Sequence, residues 1–177
     1  YSYLADKVAV RRYIAATVGE RYLVPVYLVC EEVCADTFQR LPASFVMKAN
    51  HSAGQVRIVQ GKERENPEAL ARLAGEWLAS NFSRHHREKH YQAIRPKILF
   101  EKALLSDGLP PDDYKCNVFN PGDGAEPFVF IQHMRGRREC PTQDIYLADW
   151  RVAPFVRLGK TTSATPVPRP PLLDEML

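Results

Sequence analysis

The amino-acid sequence predicts an α+β protein, and three observations carry that expectation. Pro67 opens a stretch in which Leu70, Leu73, Ala74, Trp77 and Leu78 recur at helical spacing, with the proline where a first helical turn accepts it. Tyr114 to Phe119 and Phe128 to His133 are β-rich runs on either side of Asn120-Pro121-Gly122-Asp123-Gly124, the pattern of a hairpin. Helical and extended segments follow one another without βαβ alternation, which favours antiparallel sheets over a doubly wound one.

The remaining elements follow in chain order. Asp6 can cap a helix in which Val10, Ile14, Thr17 and Val18 share a face, and Gly19 can end it. Tyr22 to Val29 is β-rich but broken by Pro25, so it is expected at a sheet edge. Phe45-Val46-Met47-Lys48 leads into the small-residue turn Ala49-Asn50-His51-Ser52-Ala53-Gly54, and Val56 to Val59 resumes β character. Asn81 to Gln92 is polar, aperiodic and expected as a surface loop. Lys97 to Leu104 is an apolar strand interrupted by Glu101 and Lys102, and Asp107 to Asp113 is a turn-rich connection. The chain after the hairpin is expected to be irregular. It ends in a proline-rich stretch, Pro166 to Pro171, and a first helical turn at Leu172 to Leu177.

Composition narrows the function classes. The chain has 177 residues, 45% hydrophobic and 25% charged, enough for a good core. The net charge of +3 is interspersed, which suits an anionic small ligand but does not mark a nucleic-acid binder. No apolar run reaches the ~18 residues needed to cross a bilayer. No signal-peptide pattern opens the chain, which begins at Tyr1 without an initiator Met, so the natural start is expected upstream. Cys30, Cys34, Cys116 and Cys140 form no CxxC pair and are expected as reduced thiols in a cytoplasmic protein.

Several residues can carry chemistry. Lys48 ends an apolar strand just before a small-residue turn, where its ammonium must reach water or an anion. The turn can aim backbone N–H groups at the same point, and its small side chains let a phosphate approach. A lysine snorkelling from a hairpin end has the same appearance. Glu101-Lys102-Ala103-Leu104 can offer main-chain groups to the edge of a purine, or simply leave the core as a strand end. Asp6 and Lys7 stand at a helix start, where anions are favoured or an ordinary cap is formed. Asp113 and Lys115, two apart in a strand, point to one face. They suit a sugar hydroxyl and a phosphate, or a surface ion pair. His86 and His90 have i,i+4 spacing, with His85 beside them, but no third zinc ligand is evident and no metal site is expected. Arg135-Gly136-Arg137-Arg138 is read as a solvated basic face.

The order of these signals resembles the ATP-grasp ligases. Asp6-Lys7 with Arg11, then Gly19 and Pro25, is similar to their lead-in. Phe45 to Gly54 resembles their phosphate strand and loop, and Ile98 to Leu104 their adenine hinge. More narrowly, KxNHxxG, EKxL, DYKxxxFN and Asp149-Trp150 near Pro154-Phe155 resemble the TupA-like family, often labelled as glycosyltransferases or polysaccharide biosynthesis proteins.

The resemblance implies an ATP-grasp fold of two small α+β subdomains whose antiparallel sheets enclose a nucleotide cleft. Residues 1–40 would be a lead-in helix and strand, 41–104 the small subdomain, and 105–177 the start of the second. Lys7 and Lys48 would hold the α- and β-phosphates, and the loop Asn50, His51, Ser52, Ala53, Gly54 would close over them. Ala53 stands where relatives carry glycine. Glu101 would receive the adenine amino group, with Lys102 and Leu104 giving main-chain contacts. Asp113 would bind ribose, and Lys115 the phosphates or the acceptor. The implied reaction joins a carboxylate to an amine through an acylphosphate, with ATP and Mg²⁺, in cell-surface polysaccharide or polypeptide synthesis. The Mg²⁺ ligands of that family are expected beyond Leu177, so this chain alone is expected to bind nucleotide weakly and turn over little. A glycosyltransferase would need a DxD motif, for which Asp112-Asp113 is a poor match. A degenerate, non-catalytic relative is the other alternative.

Overall fold

A computed structural model describes residues 1–80, 88–106, 108–136, 141–163 and 165–177. The chain folds as two compact units, Tyr1–Leu109 and Pro110–Leu177. Residues 1–40, read above as a lead-in, lie within the first unit.

The first unit opens with a short helix, α1 (Ser2–Ala5), which the sequence did not suggest, and continues with α2 (Val10–Thr17). The N-cap of α2 is Ala9, without a side-chain cap, and not Asp6 as the sequence suggested; Asp6 closes the turn before the helix, its Oδ1 accepting from the Val8 N–H at 2.8 Å and its carbonyl from Val10 N at 2.9 Å. Gly19 ends the segment with φ +108°, a conformation that side chains strain to reach.

Four strands form the first sheet: β1 (Val26–Cys30), β2 (Ser44–Ala49), β3 (Val56–Gln60) and β4 (Ile98–Lys102), in the order β1-β4-β2-β3. All three pairings are antiparallel. Pro25 precedes β1, which is an edge strand as expected of a run that a proline interrupts. Helix α3 (Pro67–Ala79) has Asn66 as its N-cap, whose Oδ1 accepts from Ala69 N at 2.8 Å, and Pro67 in its first turn.

Phe45, Met47, Ala49, Val59, Ile98 and Phe100 line one face of this sheet and meet Phe38, Leu41, Leu70 and Ala74 in a single core. Phe38, Phe45 and Phe100 form its aromatic centre, with ring centroids 5.8 to 6.1 Å apart. Residues 81–87, which include His85 and His86, lie outside the described residues. Lys89–Tyr91 is a 3-10 turn within the stretch expected as loop.

The second unit is a three-stranded antiparallel sheet of β5 (Asp113–Phe119), β6 (Phe128–Arg135) and β7 (Thr142–Leu147). The hairpin β5–β6 forms where the sequence places it, with Phe119 opposite Phe128. Strand β7 corrects the expectation of irregular chain after the hairpin. Its Gln143 and Asp144 broke the apolar pattern, yet both are buried. Asp144 is satisfied by Ser163 N at 2.8 Å and Arg135 at 3.3 Å, which lets a charge sit inside a strand.

Asp149-Trp150 turns the chain back after β7. Trp150 adopts φ +68°, stacks on Tyr146 with centroids 4.1 Å apart, and donates from Nε1 to the Val167 carbonyl at 3.0 Å. The proline-rich segment is therefore packed against the sheet at this point, and a short helix, α4 (Leu173–Met176), follows. Cys30, Cys34 and Cys116 are free thiols. No described helix is long and apolar enough to cross a membrane.

Phe100 is fully buried at the centre of the first core. Phe100→Ala is expected to destabilise the first unit by about 3–5 kcal/mol. Denaturant unfolding followed by the fluorescence of Trp77, which packs against that core, would read this as a lowered midpoint; a shift under about 1 kcal/mol would contradict the packing described.

Candidate functional site

Strand periodicity places the first site residue. Side chains alternate along β2, so Phe45, Met47 and Ala49 enter the core while Val46 and Lys48 take the opposite face. The antiparallel register sets Val46 opposite Glu101 and Lys48 opposite Leu99, which puts Lys48 and Glu101 on that same face. Their side chains meet: Lys48 Nζ donates to Glu101 Oε2. Glu101 is buried, with only 8% of its side chain exposed, whereas the Lys48 side chain is 29% exposed. Val26 of β1 pairs with the same Glu101 from the other side, so the carboxylate is carried by a strand held on both flanks.

Two further cations converge here. Arg11, on α2 and four residues after Lys7, reaches Glu101 Oε1 with Nη1 at 3.5 Å, and its Nη2 donates to the Val24 carbonyl at 2.5 Å. Lys7 donates through Nζ to the Ala49 carbonyl at 3.0 Å and to the Ser52 carbonyl. Burial is the main reason the Lys7 ammonium is held below its ordinary pKa; the Lys48 charge adds to this, and Asp6 and Glu101 oppose it. Three cations thus surround two carboxylates in a half-buried corner. Arg11 entered the sequence reading only as part of a motif. Lys7 lies in the turn that leads into α2 and Arg11 in its first turn, so their approach follows from the chain entering the helix and not from a shared helix face.

The turn after β2 is braced from several directions. Asn50 Nδ2 donates to Asp6 Oδ1 at 3.0 Å and to the Arg95 carbonyl at 3.1 Å, while Asn50 Oδ1 accepts from Lys97 N at 2.7 Å. His51 contacts Asn50 Oδ1 and the Trp77 carbonyl, each at 3.1 Å. Burial lowers the pKa of the His51 ring, against the pull of the Trp77 and Ser80 main chain. Ser52 Oγ donates to Gln55 Oε1, and Gln55 Nε2 donates to Ser80 Oγ at 2.9 Å. Asn50, His51 and Ser52 are thus buried with their polar groups engaged inside the unit, and Ala53 and Gly54 form the exposed tip. Gly54 has φ +84°, with open space where a Cβ would stand.

The other candidates fall into two groups. Lys102 ends β4, its N–H donating to the Pro25 carbonyl at 2.9 Å, and Leu104 is exposed just beyond. Asp113 and Lys115 belong to the second unit, where they share a face of β5. His90 lies 4.0 Å from Glu88. Arg135 pairs with Asp144, and Arg137 and Arg138 lie outside the described residues.

A family model described as TupA-like ATPgrasp matches residues 1–175. The chain belongs to that family. No curated protein and no solved structure matches it. ATP-grasp proteins bind ATP and generally use Mg²⁺. In this ATP-grasp protein the excess of cations around Glu101 fits a polyphosphate. Among the described residues, no group of three or more His, Cys, Asp or Glu residues could hold a metal ion.

The lowered pKa of Lys7 has a sign that can be tested. Between its depressed folded value and the ordinary 10.5, the unfolded chain keeps a proton the folded chain has released. Raising the pH through that window therefore favours folding. Relative to Lys7→Met, the wild-type chain should gain stability as pH rises below about 10.5. Urea midpoints for both proteins across pH 7 to about 10 would show it, and parallel curves would refute it.

Proposed function

We propose that the first unit binds the phosphates of ATP through Lys7 and Lys48, and that the protein uses the nucleotide to activate a carboxylate for attack by an amine. The observation that carries this reading is the convergence of Lys7, Arg11 and Lys48 beside a compact turn, in a chain of the TupA-like ATP-grasp family.

The turn Asn50 to Gly54 contributes chiefly through its main chain and exposed tip, because the Asn50, His51 and Ser52 side chains serve to hold its shape. The base lies at the end of β4 and takes main-chain contacts from Glu101, Lys102 and Leu104. The Glu101 carboxylate itself is engaged by two cations, so the adenine amino group is met by a carbonyl oxygen.

In the proposed reaction a substrate carboxylate oxygen attacks the γ-phosphorus and ADP leaves, giving an acylphosphate. The amine then attacks the acyl carbon, loses a proton and expels phosphate. This chain's cations position the polyphosphate and offset its charge. Cell-surface polysaccharide or polypeptide synthesis is the proposed setting, and the carboxylate and amine are the proposed substrates.

ATP should raise the melting temperature of the chain, since a ligand at a hundred times its Kd stabilises by about 2.7 kcal/mol. Lys48→Met should remove most of that shift while leaving the ligand-free melting temperature within a few degrees. A nucleotide-sugar that protects the chain where ATP does not would overturn the assignment in favour of glycosyl transfer.

A further inference from the structure

We infer that Glu101 is a built-in counter-anion for the phosphate lysine: Lys48 leaves the Glu101 carboxylate for the polyphosphate when ligand binds, and Arg11 stays behind to keep that carboxylate paired. This rests on the reading of Lys48 as a phosphate ligand and adds to it the event that controls access to the lysine.

The geometry decides which group moves. Glu101 cannot follow the ligand, because β4 is paired with β1 on one side and β2 on the other, and its side chain is almost fully enclosed. Lys7 is tied to two carbonyls of the turn, at Ala49 and Ser52. Arg11 is anchored by the Val24 carbonyl as well as by Glu101. Lys48 donates to Glu101 from a flexible four-carbon stem, and its side chain is the most exposed of the Arg11, Lys48 and Glu101 trio.

Charge explains why the exchange is feasible. A buried carboxylate stripped of its only cation is strongly unfavourable. Glu101 has two, so the departure of Lys48 leaves Arg11 at 3.5 Å in place. The incoming phosphates supply Lys48 with a new anion at the same moment. Glu101 therefore competes with the ligand for Lys48 and also fixes where the ammonium waits. It is a positioning residue, and its removal should strengthen polyphosphate binding, an effect that structural damage does not produce.

The test uses the full chain, with inorganic triphosphate and ATP as separate probes in titration calorimetry at fixed ionic strength. Glu101→Gln is expected to bind triphosphate on the order of three- to ten-fold more tightly than wild type. Lys48→Met should remove triphosphate binding in either background. A folded Glu101→Gln protein whose triphosphate affinity is unchanged or weaker overturns the exchange, while ATP protection of the wild type would leave the nucleotide reading standing. Tighter triphosphate binding without any ATP binding supports the exchange and overturns the nucleotide reading. Binding of neither probe overturns both. If Glu101→Gln does not fold, wild-type protein carrying ¹³C-labelled glutamate reports the same event. The Glu101 carboxyl resonance should move when triphosphate is added, and should not move in Lys48→Met; a resonance unaffected in wild type overturns the proposal.

Discussion

The pairing of β2 with β4 is the constraint from which the rest of the first unit follows. With Val46 opposite Glu101 and Lys48 opposite Leu99, Phe45, Met47 and Ala49 of β2 and Ile98 and Phe100 of β4 enter the aromatic core. The residues between them present a lysine and a glutamate on the reverse side. A slip of one residue would turn Lys48 into a packed apolar core and bring Met47 out of it. The same hydrophobic burial that fixes the register thus fixes the ion pair, without any local sequence signal dedicated to it.

A second layer of constraint comes from the main chain. The turn after β2 exposes carbonyl groups at Ala49 and Ser52, and Lys7 is drawn into the unit to satisfy them. Burial makes that ammonium costly, and the nearby Asp6 and Glu101 only partly offset the cost. The corner is consequently short of negative charge in its own right. Its chemistry follows from an electrostatic imbalance held in place by backbone hydrogen bonds, and less from any single side chain.

Much of this was legible from residue order and the rest was not, for identifiable reasons. Helix α3 and the β5–β6 hairpin announced themselves through periodicity and turn chemistry, because both are local patterns. Lys48 was legible because a charge at the end of an apolar run demands an explanation. The Lys48–Glu101 and Arg11–Glu101 contacts were not legible, since they span 53 and 90 residues of sequence. Strand β7 was missed because Gln143 and Asp144 look like loop residues until Ser163 and Arg135 are known to accompany Asp144. Asn50, His51 and Ser52 carry the motif's polar character, yet their side chains turn inward. A sequence reveals that a turn is polar but not whether those groups face solvent or the fold.

Asn50 has a consequence for assembly. Its amide joins Asp6, Arg95 and Lys97, partners 44 to 47 positions away in both directions along the chain. No early local hairpin can complete this junction, because two long loops must close before it forms. The β2–β3 pair can exist in a partly folded chain, but the cation cluster cannot. The arrangement of Lys7 beside the turn is therefore a property of the completed unit and of no smaller piece of it.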